Sequence, residues 1–209
     1  MKTLILLSKH FTINALEKLK SATQKDPANI KLAFCASPAD KSANKDYVQE
    51  SKREFLQAKI HAQEYSLDQF KGQPNRYKTF LKNFDANFFS GGNVIYFNHI
   101  FNEYNLRSTY RELVQTGLIH IGASAGALIC SKNMKYYRTI DPIEGIPEYN
   151  DSQGLNLFNF YISPHYESKP KYTKAYETII KTFPSTTDHI IPLTNAQAIF
   201  VQAEYWEII

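Results

Sequence analysis

The stretch Leu118-Ile119-His120-Ile121-Gly122-Ala123-Ser124-Ala125-Gly126-Ala127-Leu128-Ile129 reads as a buried strand, a G-x-S-x-G turn and the opening of a helix. A strand that turns sharply into a helix holds the central serine in a strained backbone, and small neighbours are needed because other backbone passes close by. Gly122, Ala123, Ala125, Gly126 and Ala127 supply that small shell. The turn also sets the amide of Ala125 at a helix N-terminus, where an oxyanion can accept its hydrogen bond. The bland alternative is a tight βα turn with Ser124 as N-cap.

Working outward, short apolar runs alternate with longer amphipathic ones. Residues 4–7, 30–35, 60–65, 86–89 and 118–121 read as strands, with helical spacing between them at Ile13, Leu16 and Leu19, around Tyr47 to Leu56, at Tyr77 to Phe84 and at Val94 to Tyr104. Strand then helix, repeated, predicts a three-layer α/β/α fold around a largely parallel sheet. Farther on, 136–139, 159–162, 190–193, 198–202 and 205–209 are strand candidates and 173–183 a helix; the last two strands are close enough for a hairpin, so an antiparallel C-terminal edge is expected. With no repeat or linker, residues 1–209 are expected to form a single domain.

The 209 residues are 43% hydrophobic and 21% charged with a net charge of +4 and no long block of one sign, which argues against disorder and against a nucleic-acid partner. The N-terminal apolar run is too short for a signal-peptide core and none approaches the roughly 18 residues of a membrane span, so a cytoplasmic protein without a membrane partner is expected. Cys35 and Cys130 lack C-x-x-C spacing and read as buried thiols, with no metal site.

The second glycine cluster, Ser90-Gly91-Gly92-Asn93, follows a strand and opens a helix. At the carboxyl end of a parallel strand an amide can point into the ligand crevice, so a second oxyanion donor is expected from Gly92. No phosphate-loop pattern is present. Of the six histidines, His61, His99 and His120 fall inside elements and are explained by packing, while His10 could line the crevice with nothing to fix its direction. His165 differs: Ser163-Pro164-His165-Tyr166 sets it just past a strand end, where a base can be aimed, although a structural histidine fits equally well on local grounds.

Together, Ser-Gly-Gly-Asn at 90–93, Gly-x-Ser-Ala-Gly-Ala at 122–127 and Pro-His-Tyr at 164–166 resemble the S51 serine peptidases, which include aspartyl dipeptidase and cyanophycinase, over nearly the whole chain. The resemblance implies a class I glutamine amidotransferase-like fold without metal or cofactor. Ser124 is then the nucleophile, His165 the general base, and the amides of Gly92 and Ala125 the oxyanion hole. The resemblance also implies a small peptide as substrate, with aspartyl peptides in the family's range, and is compatible with a homodimer.

The acid is expected at Asp141, with Glu144, Glu167 or none as alternatives; Glu167 would share a side with His165 if that segment were a strand. The segment where the family has another carboxylate presents Asn195 instead. Arg138 is the expected partner of an aspartyl carboxylate. Two rival readings are a general α/β-hydrolase esterase and a catalytically degenerate member that only binds a peptide or metabolite.

Overall fold

A computed structural model describes residues 1–141, 153–182 and 189–209. One sheet contains seven strands, β1 (Thr3–Leu7), β2 (Leu32–Cys35), β3 (Ala62–Tyr65), β4 (Ala86–Phe89), β5 (Ile119–Ala123), β8 (Ala198–Gln202) and β9 (Tyr205–Ile208). Their order is β3-β2-β4-β5-β1-β8-β9. The first five are mutually parallel, whereas β8 runs antiparallel to β1 and β9 antiparallel to β8, forming the expected C-terminal edge.

Burial on both faces explains why the inner strands β1, β2, β4, β5 and β8 read as nearly continuous apolar runs, whereas the edge strands β3 and β9 are largely exposed. In β1, Leu4 and Leu6 enter one hydrophobic cluster and Ile5 and Leu7 the other. Helices α1 (Ile13–Thr23) and α2 (Asp46–Gln57) close one face with Leu19 and Phe55. On the other lie α3 (Pro74–Leu81), α4 (Val94–Glu103), α5 (Arg107–Thr116) and the short α6 (Ala125–Leu128), packed through Tyr77, Phe97, Tyr110 and Leu128. Helix α7 (Pro170–Thr182) adds Ile179 to that side.

Two expectations change. Residues 136–139 form no strand; Tyr137–Thr139 is a single 3-10 turn. The tyrosines that suggested β structure serve as packing anchors: the Tyr136 ring lies 4.4 Å from that of Tyr161, and Tyr137 Oη accepts from Ile162 N at 3.3 Å. The strands near 160 and 190 do form, as β6 (Tyr161–Ser163) and β7 (Ile190–Pro192), but pair in parallel with each other outside the main sheet. Their carboxyl ends carry the chain back over the end of β1 and β5.

Candidate active site

At the end of β5 the chain turns at Ser124, whose φ of 48° and ψ of −112° are a conformation that L-residues avoid. Three hydrogen bonds hold it there: Ser124 N donates to Leu7 O on β1 at 3.0 Å, and Ser124 O accepts from the amides of Ala127 at 2.8 Å and Leu128 at 2.9 Å. A Cβ on Gly122 would lie 2.2 Å from Gly126 O, so the turn closes only with glycine at 122. The strand–turn–helix read from sequence is therefore a strained elbow with an outward-facing side chain.

His165 follows β6 in a turn and has a positive φ of 62°. Its amide donates to Ser8 Oγ at 2.8 Å, and the Ser8 hydroxyl donates to Leu193 O at 3.1 Å. Fully buried Ser8 thus ties the histidine loop to the segment after β7. The ring bridges two side chains: Nε2 lies 2.9 Å from Ser124 Oγ and Nδ1 2.8 Å from Asn195 Oδ1. Since an amide oxygen can only accept, Nδ1 carries the proton, leaving the Nε2 lone pair to accept the Ser124 hydroxyl. Burial pushes the His165 pKa below its usual value; the Asn195 bond opposes this, and Lys9, Lys171 and His10 add to it. The imidazole is therefore neutral at neutral pH, as a base must be.

Gly91 and Gly92 form the facing wall. Gly92 has φ 153° and a Cβ there would sit 2.0 Å from Pro38 O, while Asn93 N donates to that same carbonyl at 3.1 Å. Asn93 caps α4 by accepting from Tyr96 N at 2.8 Å. Among the described residues neither the Gly92 amide nor the Ala125 amide has an acceptor. Two such donors near Ser124 Oγ are what a tetrahedral oxyanion formed there would need.

Asp141 stands elsewhere. Its Oδ2 accepts from Val94 N, the first amide of α4, at 2.7 Å. Burial raises its pKa to about 6, opposed by that bond and by Lys171. The atom opposite His165 Nδ1 belongs to Asn195, so the acid expected at Asp141 does not orient the base; it braces the helix that follows the glycine wall. Glu167 is exposed, and positive φ values at residues 165 and 167 replace the strand geometry that would have aligned them. Glu144 lies outside the described residues.

The cavity in front of Ser124 measures about 410 Å³, and its lining includes Lys9, His10, Glu50, Glu54 and Lys169. Arg138 is exposed and does not line it. Glu54 fixes His10, accepting from its Nδ1 at 2.7 Å and from Phe11 N at 2.9 Å. His10, Glu50 and Glu54 place one ligand-type atom each within 4.8 Å, but they pair with one another and Glu50 also pairs with Lys9 at 3.0 Å. Sequence reasoning missed Ser8 altogether. Only strand order, which sets β1 beside β5, reveals it.

The model of peptidase family S51 matches residues 4–209. The chain belongs to peptidase family S51. An uncharacterized peptidase of Pasteurella multocida is 30% identical over 176 residues, covering 84% of this chain and 83% of that protein. Peptidase E of a Nostoc species is 36% identical over 86 residues, 41% of this chain and 34% of its own length. A peptidase E-like structure from Listeria monocytogenes superposes with a TM-score of 0.83 at 22% identity, covering 100% of this chain and 98% of that one, and so shares its fold. Membership in S51 makes the chain a serine peptidase and displaces the esterase reading. No described helix is long and apolar enough to cross a membrane.

Proposed function

We propose that this S51 peptidase hydrolyses short peptides through an acyl-enzyme formed on Ser124. The observation that carries the reading is the 2.9 Å contact between Ser124 Oγ and His165 Nε2 at a serine with φ 48°. His165 takes the hydroxyl proton as Oγ attacks the scissile carbonyl, and the Gly92 and Ala125 amides receive the oxyanion. The protonated imidazole then gives its proton to the leaving amine, and water resolves the ester by the reverse sequence. Asn195 replaces the acid: it fixes the tautomer and aim of His165 without adding a negative charge.

A cavity of about 410 Å³ suits a dipeptide or a short peptide end. Aspartyl peptides are the first set to assay, because the family includes aspartyl dipeptidases and Lys9 and Lys169 line the cavity. Ser124→Ala is expected to reduce turnover by about 10⁵-fold or more, and to abolish fluorophosphonate labelling, with the fold intact by circular dichroism. Unchanged turnover in Ser124→Ala defeats the nucleophile assignment. A native protein that takes no label and cleaves no short peptide is instead a binding member of the family.

A further inference from the structure

His120 lies on β5, four positions before the nucleophile, and is completely buried with all its polar atoms engaged. Nδ1 is 2.7 Å from Tyr110 Oη, while Nε2 is 3.0 Å from Gly126 O and 3.1 Å from Cys130 Sγ. The polar chain continues behind the sheet. Asn87 Nδ2 donates to Tyr110 Oη at 3.2 Å, Tyr65 Oη donates to Asn87 Oδ1 at 2.7 Å, and Tyr77 Oη lies 3.2 Å from Tyr65 Oη.

These partners settle where the protons are. Gly126 O can only accept, so Nε2 carries the proton and donates to it, which leaves the Nδ1 lone pair to accept the Tyr110 hydroxyl. The opposite tautomer would face a lone pair toward a carbonyl oxygen. Burial lowers the His120 pKa to about 3, so the ring stays neutral with a single N–H.

That N–H replaces a missing helix bond. The ordinary donor to Gly126 O is the amide of Cys130, but Cys130 N bonds to Ala127 O at 3.2 Å. The Gly126–Ala127 peptide is therefore clamped at both ends, its carbonyl by His120 and its N–H by Ser124 O at 2.8 Å. We infer that His120 is a positioning residue for the nucleophile: through this peptide it holds the Ser124 carbonyl in the strained conformation that presents Oγ to His165. The inference rests on Ser124 being the nucleophile.

The test compares His120→Gln, whose amide reaches the place of Nε2, with His120→Asn, whose amide reaches only the place of Nδ1. The full chain is assayed by the rate of fluorophosphonate labelling per folded molecule and by kcat and KM on any peptide it cleaves. His120→Asn is expected to lose about a hundredfold in labelling and kcat with KM within about twofold, and His120→Gln to recover most of that loss. The acidic limb of the pH profile should stay in place, since His165 sets it. Equal rates in the two variants, or a native rate in His120→Asn, overturn the inference. If neither variant folds, Tyr110→Phe removes the hydroxyl that fixes the tautomer; a severalfold loss supports the clamp and a native rate overturns it. Ser124→Ala run alongside separates the two claims. Activity surviving in Ser124→Ala removes the nucleophile reading itself, whereas activity lost there but native in His120→Asn removes only the clamp.

Discussion

The two halves of the candidate dyad are held in opposite ways. Ser124 sits at the end of a central strand, between β4 and β1, with its turn secured by residues 122–128 and by the buried polar chain behind them. His165 sits in a turn outside the main sheet and is fixed by Ser8 and Asn195, which lie 157 and 30 residues away. The Ser124 turn is thus shaped mostly by neighbouring residues, with Leu7 O on β1 as the distant anchor of its amide, while His165 is aimed wholly by contacts that exist only in the folded chain. A fault in the first half should disable the site through backbone strain. A fault in the second should mainly alter the orientation and proton affinity of an imidazole.

Gly92→Ala is the sharpest probe of the glycine wall that faces the first half. The added Cβ meets Pro38 O at 2.0 Å, so the glycine wall must shift and carry its amide away from the oxyanion. A loss of about 10²–10³ in kcat is expected in steady-state assays, with KM changed much less. An unaltered kcat would separate Gly92 from catalysis.

Asn195 probes the second half. Asn195→Ala is expected to lower kcat/KM by about tenfold to a hundredfold, because the His165 backbone keeps its Ser8 anchor while the ring loses the partner that fixes its tautomer. Asn195→Asp works in the other direction on proton affinity. A carboxylate beside the ring favours imidazolium, so the His165 pKa rises and the acidic limb of the kcat/KM profile moves to higher pH. A limb that stays put would mean that residue 195 does not contact the base.

Asp141 should give the smallest effect, and its sign is informative. Burial raises its pKa from 3.8 to about 6, so the folded state favours the protonated acid. That contribution is fully present below 3.8 and is lost as pH rises through about 6. Asp141→Asn keeps an oxygen for Val94 N without a charge. It should therefore raise Tm at pH 8 by roughly 2–4 °C, corresponding to about 1 kcal/mol, and give no gain at pH 4. If Asp141 instead oriented His165, the same change would cost several orders of magnitude in turnover, which the assay would expose at once.

The alternation of apolar runs and the G-x-S-x-G turn determined the layered fold and the place of Ser124 in it, because strand burial and the small shell around Ser124 are local demands that composition must meet. The order of the strands was not legible, and with it went the neighbours of His165. Asn195 was visible in the sequence only as a carboxylate that was missing, and Ser8 only as the first polar residue after an apolar strand. Asp141, chosen by resemblance, proved to brace α4. His120 looked like packing because nothing in a linear sequence tells a buried ring from one whose N–H replaces a helix bond. Hydrogen-bond partners far apart in the chain are set by where β1, β5 and the turn after β6 meet, and only the tertiary structure decides that.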